Sequence, residues 1–236
     1  MGTAHDAFIC LRIDMTKIKI CGLTREQDVD AAVAAGADAI GFVMYAPSPR
    51  AVSIERAAEL AGRLPPFVTP VLLFVNERET YIHKACETIP SALLQFHGDD
   101  DLESPDFCAS FKRPYLRAAR MCEGFDLVKY AKQYTSALGL LLDAHVAAFG
   151  GSGTTFNWNA FNWSQLSINV NLPLVLSGGL TPANVTDGIL QVRPRCTTLA
   201  VDVSSGVEVS KGIKSADKIN QFVAAVRAAD QQFASS

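Results

Sequence analysis

Two side chains stand where an apolar run gives way to a loop, and both could move protons. Asp143 closes Leu140-Leu141-Leu142-Asp143, so its carboxyl leaves a segment with almost no polar surroundings. Desolvation favours the neutral form of a carboxylic acid, the form a general acid needs. The same carboxyl would serve equally as the partner of a neighbouring base or as a loop cap. Cys21 closes the run at residues 18–21; a lone cysteine is usually a small buried hydrophobe, with a catalytic thiol as the alternative. Polar residues end other apolar runs as well: Arg50 after Ser48-Pro49, His97 after Gln95-Phe96, and Asp202 beside Ser204-Ser205-Gly206. Read singly, His97 is a satisfied polar side chain and Arg50 a surface charge after a proline turn.

Small residues cluster at two further positions, Ser177-Gly178-Gly179 and Ser204-Ser205-Gly206. Such loops leave backbone N–H groups free to approach an anion, and a following helix N-terminus adds partial positive charge. Each alone is equally a tight turn. Their occurrence after the last two apolar runs favours a phosphate held by Gly178, Gly179, Ser204, Ser205 and Gly206, with the loop Gly150-Gly151-Ser152-Gly153 as a further contributor.

These residues need a frame, and the hydrophobic pattern supplies one. Short aliphatic runs at 18–21, 39–44, 71–75, 92–96, 115–119, 138–143, 174–176 and 199–203 alternate with longer amphipathic stretches. The run at 115–119 is the weakest. Helices are expected at 26–35 (capped by Thr24 and stopped at Gly36), after Ser53, and at 77–87, 102–111 and 125–134. Two more follow Thr181-Pro182 and occupy 215–229. Nearly continuous apolar strands imply a parallel sheet covered on both faces. Eight strand units within about 210 residues fit a single-domain α/β protein, a (β/α)8 TIM barrel. In that fold the strand ends named above share one mouth.

Composition narrows the chemistry. Of 236 residues, 21 are basic and 24 acidic, for a net charge of −3, with no basic run of the kind nucleic acids attract. No uncharged apolar run approaches the roughly 18 residues of a membrane span. The six cysteines are scattered without a C-x-x-C pair, which fits a reducing, cytoplasmic setting. Residues 1–16 read as an extension or remnant outside the barrel, which then spans 17–236.

Taken together, Lys19-Ile-Cys-Gly-Leu-Thr24, Ser48-Pro-Arg50, Leu73-Phe-Val-Asn76, Gln95-Phe-His-Gly98 and Leu141-Leu-Asp-Ala144 form an ordered series. It continues with Gly150-Gly-Ser-Gly153, Phe156-Asn-Trp158, Leu176-Ser-Gly-Gly-Leu180 and Val201-Asp-Val-Ser-Ser-Gly-Val-Glu208. The series resembles the phosphoribosylanthranilate isomerase family of tryptophan biosynthesis over about residues 17–229. The resemblance implies an Amadori rearrangement of N-(5-phosphoribosyl)anthranilate to 1-(2-carboxyphenylamino)-1-deoxyribulose 5-phosphate. It assigns Asp143 as general acid, Cys21 thiolate as general base, Arg50 to the anthranilate carboxylate, and Asp202 to the substrate amine or sugar. His97 takes a supporting role. The reaction is redox-neutral proton relocation and implies no metal and no organic cofactor. The implied partner is a phosphorylated small molecule, bound by a monomer or homodimer.

The sequence departs from the family pattern at Ala46-Pro47, Ser152 and Asn157, all away from Cys21 and Asp143. Competing readings are another phosphosugar barrel enzyme, such as a histidine-pathway isomerase, or a phospho-ligand-binding barrel without turnover. An indole-glycerol-phosphate synthase would place a catalytic lysine and glutamates where Cys, Gln and Asp stand. A metal-dependent epimerase would need more strand-end histidines than His97.

Overall fold

The computed structural model describes residues 15–122, 124–144, 172–196 and 198–234. Its sheet comprises β1 (Lys17–Cys21), β2 (Ala39–Val43), β3 (Thr69–Phe74), β4 (Leu93–Phe96), β5 (Tyr115–Met121), β6 (Gly139–Ala144), β7 (Leu174–Ser177) and β8 (Leu199–Val203). Neighbours in chain order pair in parallel, and β8 pairs with β1 to close the ring. The fold is the expected (β/α)8 barrel.

Outside the ring lie α1 (Glu26–Ala35), α2 (Ile54–Ala61), α3 (Glu79–Thr88), α4 (Pro105–Ser110), α5 (Leu127–Gln133), α6 (Val185–Val192) and α7 (Ala216–Ala234). The stretch between β6 and β7, including the glycine loop at 150–153, lies outside the described residues. After β8 comes an antiparallel pair, β9 (Glu208–Ser210) and β10 (Ile213–Lys214), too short to leave a pattern in the sequence.

Successive side chains of a strand point to opposite sides, and the ring turns that alternation into two layers. One parity feeds the core between barrel and helices, with Ile18, Ile20, Ile40, Phe42, Phe74 and Phe96 among its members. The other parity lines the interior, where Leu116, Ala118, Leu141 and Val175 form a separate small cluster with Leu93 and Ala200. Followed toward the carboxyl ends of the strands, that inner parity reaches Lys19, Cys21, Gly41, Gln95, Arg120, Asp143, Ser177 and Asp202. The interior is therefore apolar in its middle and charged at one rim.

Three local expectations change. The helix expected after Ser53 is α2, which Ser53 caps by accepting from Arg56 N, but the residue before α1 is Arg25, with no side-chain cap. Thr24 instead donates its hydroxyl to Gly212 O at 3.1 Å, tying the start of α1 to the turn of the β9–β10 hairpin. Thr16, expected to lie outside the barrel, is fully buried; its N–H and hydroxyl both donate to Asp230 on α7. The strand read as weakest is a seven-residue β5. Its interruptions, Arg117 and Arg120, are polar residues with dedicated partners.

Arg117 is the larger of these surprises. Its side chain is wholly buried on the outer face of β5, with Nη1 2.6 Å from Glu103 Oε2 and Nη2 2.6 Å from Asp100 Oδ1. Nη2 also donates to Gly98 O, and the guanidinium lies 5.2 Å from the Tyr134 ring centroid. Glu103 completes the tie by accepting from the backbone N–H groups of Gly98 and Asn76. The cluster fixes the loop after β4, which begins at His97. Removing one member of a buried ion pair strands the other, at about 3–5 kcal/mol. Arg117→Met is expected to lower the unfolding free energy by about that amount in urea denaturation. An unchanged midpoint would mean that the cluster contributes nothing to stability.

Candidate active site

The rim divides into three groups of charges. In the first, Lys19 and Cys21 sit two residues apart on β1 and so share the inner face. Lys19 Nζ lies 2.7 Å from Asp202 Oδ1, both side chains being almost completely buried. The second oxygen of Asp202 accepts from Ser177 Oγ at 3.2 Å. Gly41 pairs with Cys21 across β1–β2, and a Cβ there would fall 2.7 Å from Cys21 Sγ and 3.1 Å from Lys19 Nζ. A bare backbone thus makes the space in which thiol and ammonium meet. Burial pushes the Cys21 thiol above its ordinary range, while Lys19 pulls the other way. Burial would lower Lys19, but Asp202 and Cys21 outweigh it and hold the ammonium firmly charged.

The second group contains Asp143. Its Oδ2 lies 3.0 Å from His97 Nε2, and His97 Nδ1 lies 3.2 Å from Gln95 Nε2. With the Gln95 amide nitrogen donating to Nδ1, the imidazole carries its proton on Nε2 and donates to Asp143; this tautomer is assigned from the network. The expected desolvated carboxyl is in fact 29% exposed at the rim and paired with a histidine. His97 is held in turn by its backbone, since Arg120 Nη2 donates to His97 O at 3.3 Å while Nη1 pairs with Asp99. Asn76 donates to Asp99 Oδ2 and accepts from Asp99 N. Gly98 between them admits no side chain, because a Cβ would overlap Asn76 Oδ1 and crowd its backbone N.

Arg50 anchors the third group. Its Nε and Nη2 form a two-pronged bond to Glu208, at 2.7 and 2.8 Å. Lys214 Nζ reaches the same carboxylate at 2.8 Å and also donates to Ser204 O and Oγ. The aliphatic stem of Arg50 passes over Gly22, whose φ of +75° and missing side chain allow the approach. Arg50 is therefore a paired rim residue instead of a free surface charge. Ser204, grouped by sequence with the anion-binding loop, joins this cluster through its hydroxyl oxygen, which accepts from Lys214. Burial pushes the Glu208 carboxyl up, but the bonds from Arg50 and Lys214 outweigh it and hold it below the usual glutamate range.

The remaining small residues do come together. Gly178 and Gly179 both have positive φ, and Ser205 and Gly206 open a single 3-10 turn directly after β8. Gly206 packs against the loop after β7 so closely that a Cβ would overlap Leu180 O. The two loops thus form one surface of backbone groups beside β7 and β8. Asp143 and Cys21 stand three strands apart around the ring, through β7 and β8, both at its carboxyl end.

A sequence model described as N-(5'phosphoribosyl)anthranilate (PRA) isomerase matches residues 18–225. The chain belongs to that family. N-(5'-phosphoribosyl)anthranilate isomerase of Methylibium petroleiphilum is 60% identical over 221 residues, 94% of this chain and 98% of the relative. The phosphoribosyl anthranilate isomerase structure from Thermotoga maritima is 36% identical and superposes with a TM-score of 0.78. That match covers 91% of this chain and all of the other. A further structure of the same isomerase, in complex with reduced 1-(o-carboxyphenylamino)-1-deoxyribulose 5-phosphate, is 34% identical with a TM-score of 0.75 over 91% of this chain and 100% of that one.

Within this isomerase barrel the sequence pattern placed Asp143, Cys21 and the glycine loops at strand ends, and gave no role to Lys19, Glu208, Arg120 and Lys214. For Lys19 a signal existed: it stands at i−2 from Cys21, on the same strand face. Glu208 ends the family-like series Val201–Glu208, but it and Lys214 belong to the short hairpin, whose pairing no periodicity reveals. The Glu208 cluster has a pH signature. Folding favours the ionised carboxyl, so its contribution is complete above the ordinary glutamate value near 4.3 and fades as pH falls through the lower folded value. Glu208→Gln is expected to lose about 1–3 kcal/mol at neutral pH. Its melting temperature should converge on that of the unsubstituted protein below about pH 4.3. A gap that stays constant to acid pH would remove the charge from the argument.

Proposed function

We propose that the barrel mouth isomerises N-(5'-phosphoribosyl)anthranilate to 1-(2-carboxyphenylamino)-1-deoxyribulose 5-phosphate, with Asp143 as general acid and Cys21 as general base. One observation carries the reading: both groups leave the same end of one closed barrel on its inner parity, with the glycine loops of β7 and β8 between their strands. Asp143 delivers a proton to the ring oxygen, the C1–O bond breaks, and the nitrogen lone pair forms the iminium. Cys21 thiolate removes the proton from C2, giving the enolamine, which tautomerises to the ketone. Electrons stay within the substrate throughout, so the residues named need only move protons.

Positioning follows from the same geometry. His97 fixes one oxygen of Asp143 and leaves Oδ1 to face the sugar. The phosphate rests on backbone groups of Gly178, Gly179, Ser205 and Gly206. Arg50 uses Nε and Nη2 on Glu208, and its Nη1 edge remains for the anthranilate carboxylate, a planar match to a planar fork. Asp202 acts through Lys19, its oxygens already taken up by Lys19 and Ser177. A base that is a free thiol favours a reducing compartment, which supports the cytoplasm as the enzyme's location.

Acid–base groups contribute about 10²–10⁴-fold to turnover. Asp143→Asn and Cys21→Ala should each lower kcat by roughly that factor, followed by loss of fluorescence of the anthranilate adduct. Unimpaired turnover in either would remove that residue from the scheme. Gly179→Asp should raise KM through repulsion of the phosphate and leave folding intact by circular dichroism; an unchanged KM would place the anion elsewhere.

A further inference from the structure

Lys19 is a buried cation that the reaction scheme leaves unused. Its ammonium is enclosed by the inner face of the barrel, with Asp202 at 2.7 Å on one side and the Cys21 thiol on the other. A lysine that served only to neutralise Asp202 would need no opening toward Cys21. Yet Gly41 leaves bare a spot where a Cβ would crowd both Sγ, at 2.7 Å, and Nζ, at 3.1 Å. We propose that Lys19 is a positioning residue for the base, a fixed positive charge that stabilises Cys21 as the thiolate which accepts the proton from C2. The inference rests on the reading of Cys21 as base given above.

The groups facing the thiol divide by sign. From β1 comes Lys19 and from β8 Asp202; Lys214 approaches from β10, and Arg50 reaches in from the loop after β2. Lys214 and Arg50 share Glu208, which offsets much of their charge. Asp202 repels a thiolate, and burial disfavours it further. Lys19 is therefore the close cation that opposes both. Asp202 has a double part: it disfavours the thiolate directly but keeps Lys19 charged within an apolar barrel. In catalysis Lys19 keeps its proton, and the C2 proton ends on Sγ.

The test is the titration of Cys21 in the full-length protein, followed by ultraviolet absorbance of the thiolate and corrected with the Cys21→Ser form of each variant. Lys19→Met should move the midpoint upward by about one pH unit or more. Lys19→Arg should retain most of the unsubstituted midpoint. Asp202→Asn, which removes the nearby anion, should move it downward. Activity of Lys19→Met at neutral pH should fall and recover as pH is raised, in step with the thiol. A midpoint unmoved by Lys19→Met overturns the inference whatever the activity does. If Lys19→Met does not fold, Lys19→Gln takes its place, and a midpoint unmoved there overturns it equally. A shifted midpoint with a kcat profile that ignores it keeps Lys19's action on the thiol and rejects Cys21 as the base.

Discussion

A parallel ring of eight strands has an interior that water does not fill, and alternate side chains of every strand must enter it. Any charge placed on that parity is either paired or driven to the rim. Here both happen: Leu116, Ala118, Leu141 and Val175 occupy the middle, and Lys19, Arg120, Asp143 and Asp202 stand above them. The chemistry of the mouth follows from this sorting. Once the ring closes, the charges at the rim are held at short range with little freedom to separate.

The same constraint explains why so much polar structure lies behind Cys21 and Asp143. Buried ionised groups are tolerated only with good geometry and complete hydrogen bonding. Asp202 has Lys19 and Ser177; Glu208 has Arg50 and Lys214; Glu103 has Arg117 and two backbone N–H groups. Two of these carboxylates sit at the mouth, and the third holds the loop that starts at His97. Rigidity at the site therefore comes from side chains on β5, β8 and the hairpin as much as from the strands that bear Cys21 and Asp143.

Much of this was legible from the sequence, for reasons that differ by element. The strands were readable because burial on both faces leaves near-continuous aliphatic runs, and β8 matches its expected bounds residue for residue. Asp143 and Cys21 stood out because polarity changes abruptly at a strand end. β5 was underrated because Arg117 and Arg120 break its apolar pattern, and only the fold reveals Glu103, Asp100 and Asp99 as their partners. Thr24 was misread as a cap since its actual partner, Gly212 O, is 188 residues away. Arg50 and Ser204 stand at the rim, but their bonds to the β9–β10 hairpin depend on a turn with no periodicity to read.

The reciprocal bonding of Asn76 and Asp99 around Gly98 bears on how the barrel responds to change over evolutionary time. Two adjacent strand-to-helix connections share one interlocked set of donors and acceptors, with no room for even a methyl group between them. Loops of that kind cannot be lengthened or exchanged one at a time, because an insertion in either breaks the fit of the other. The connections after β3 and β4 are thus one mechanical unit, and a change in the length of either has to be matched by the other.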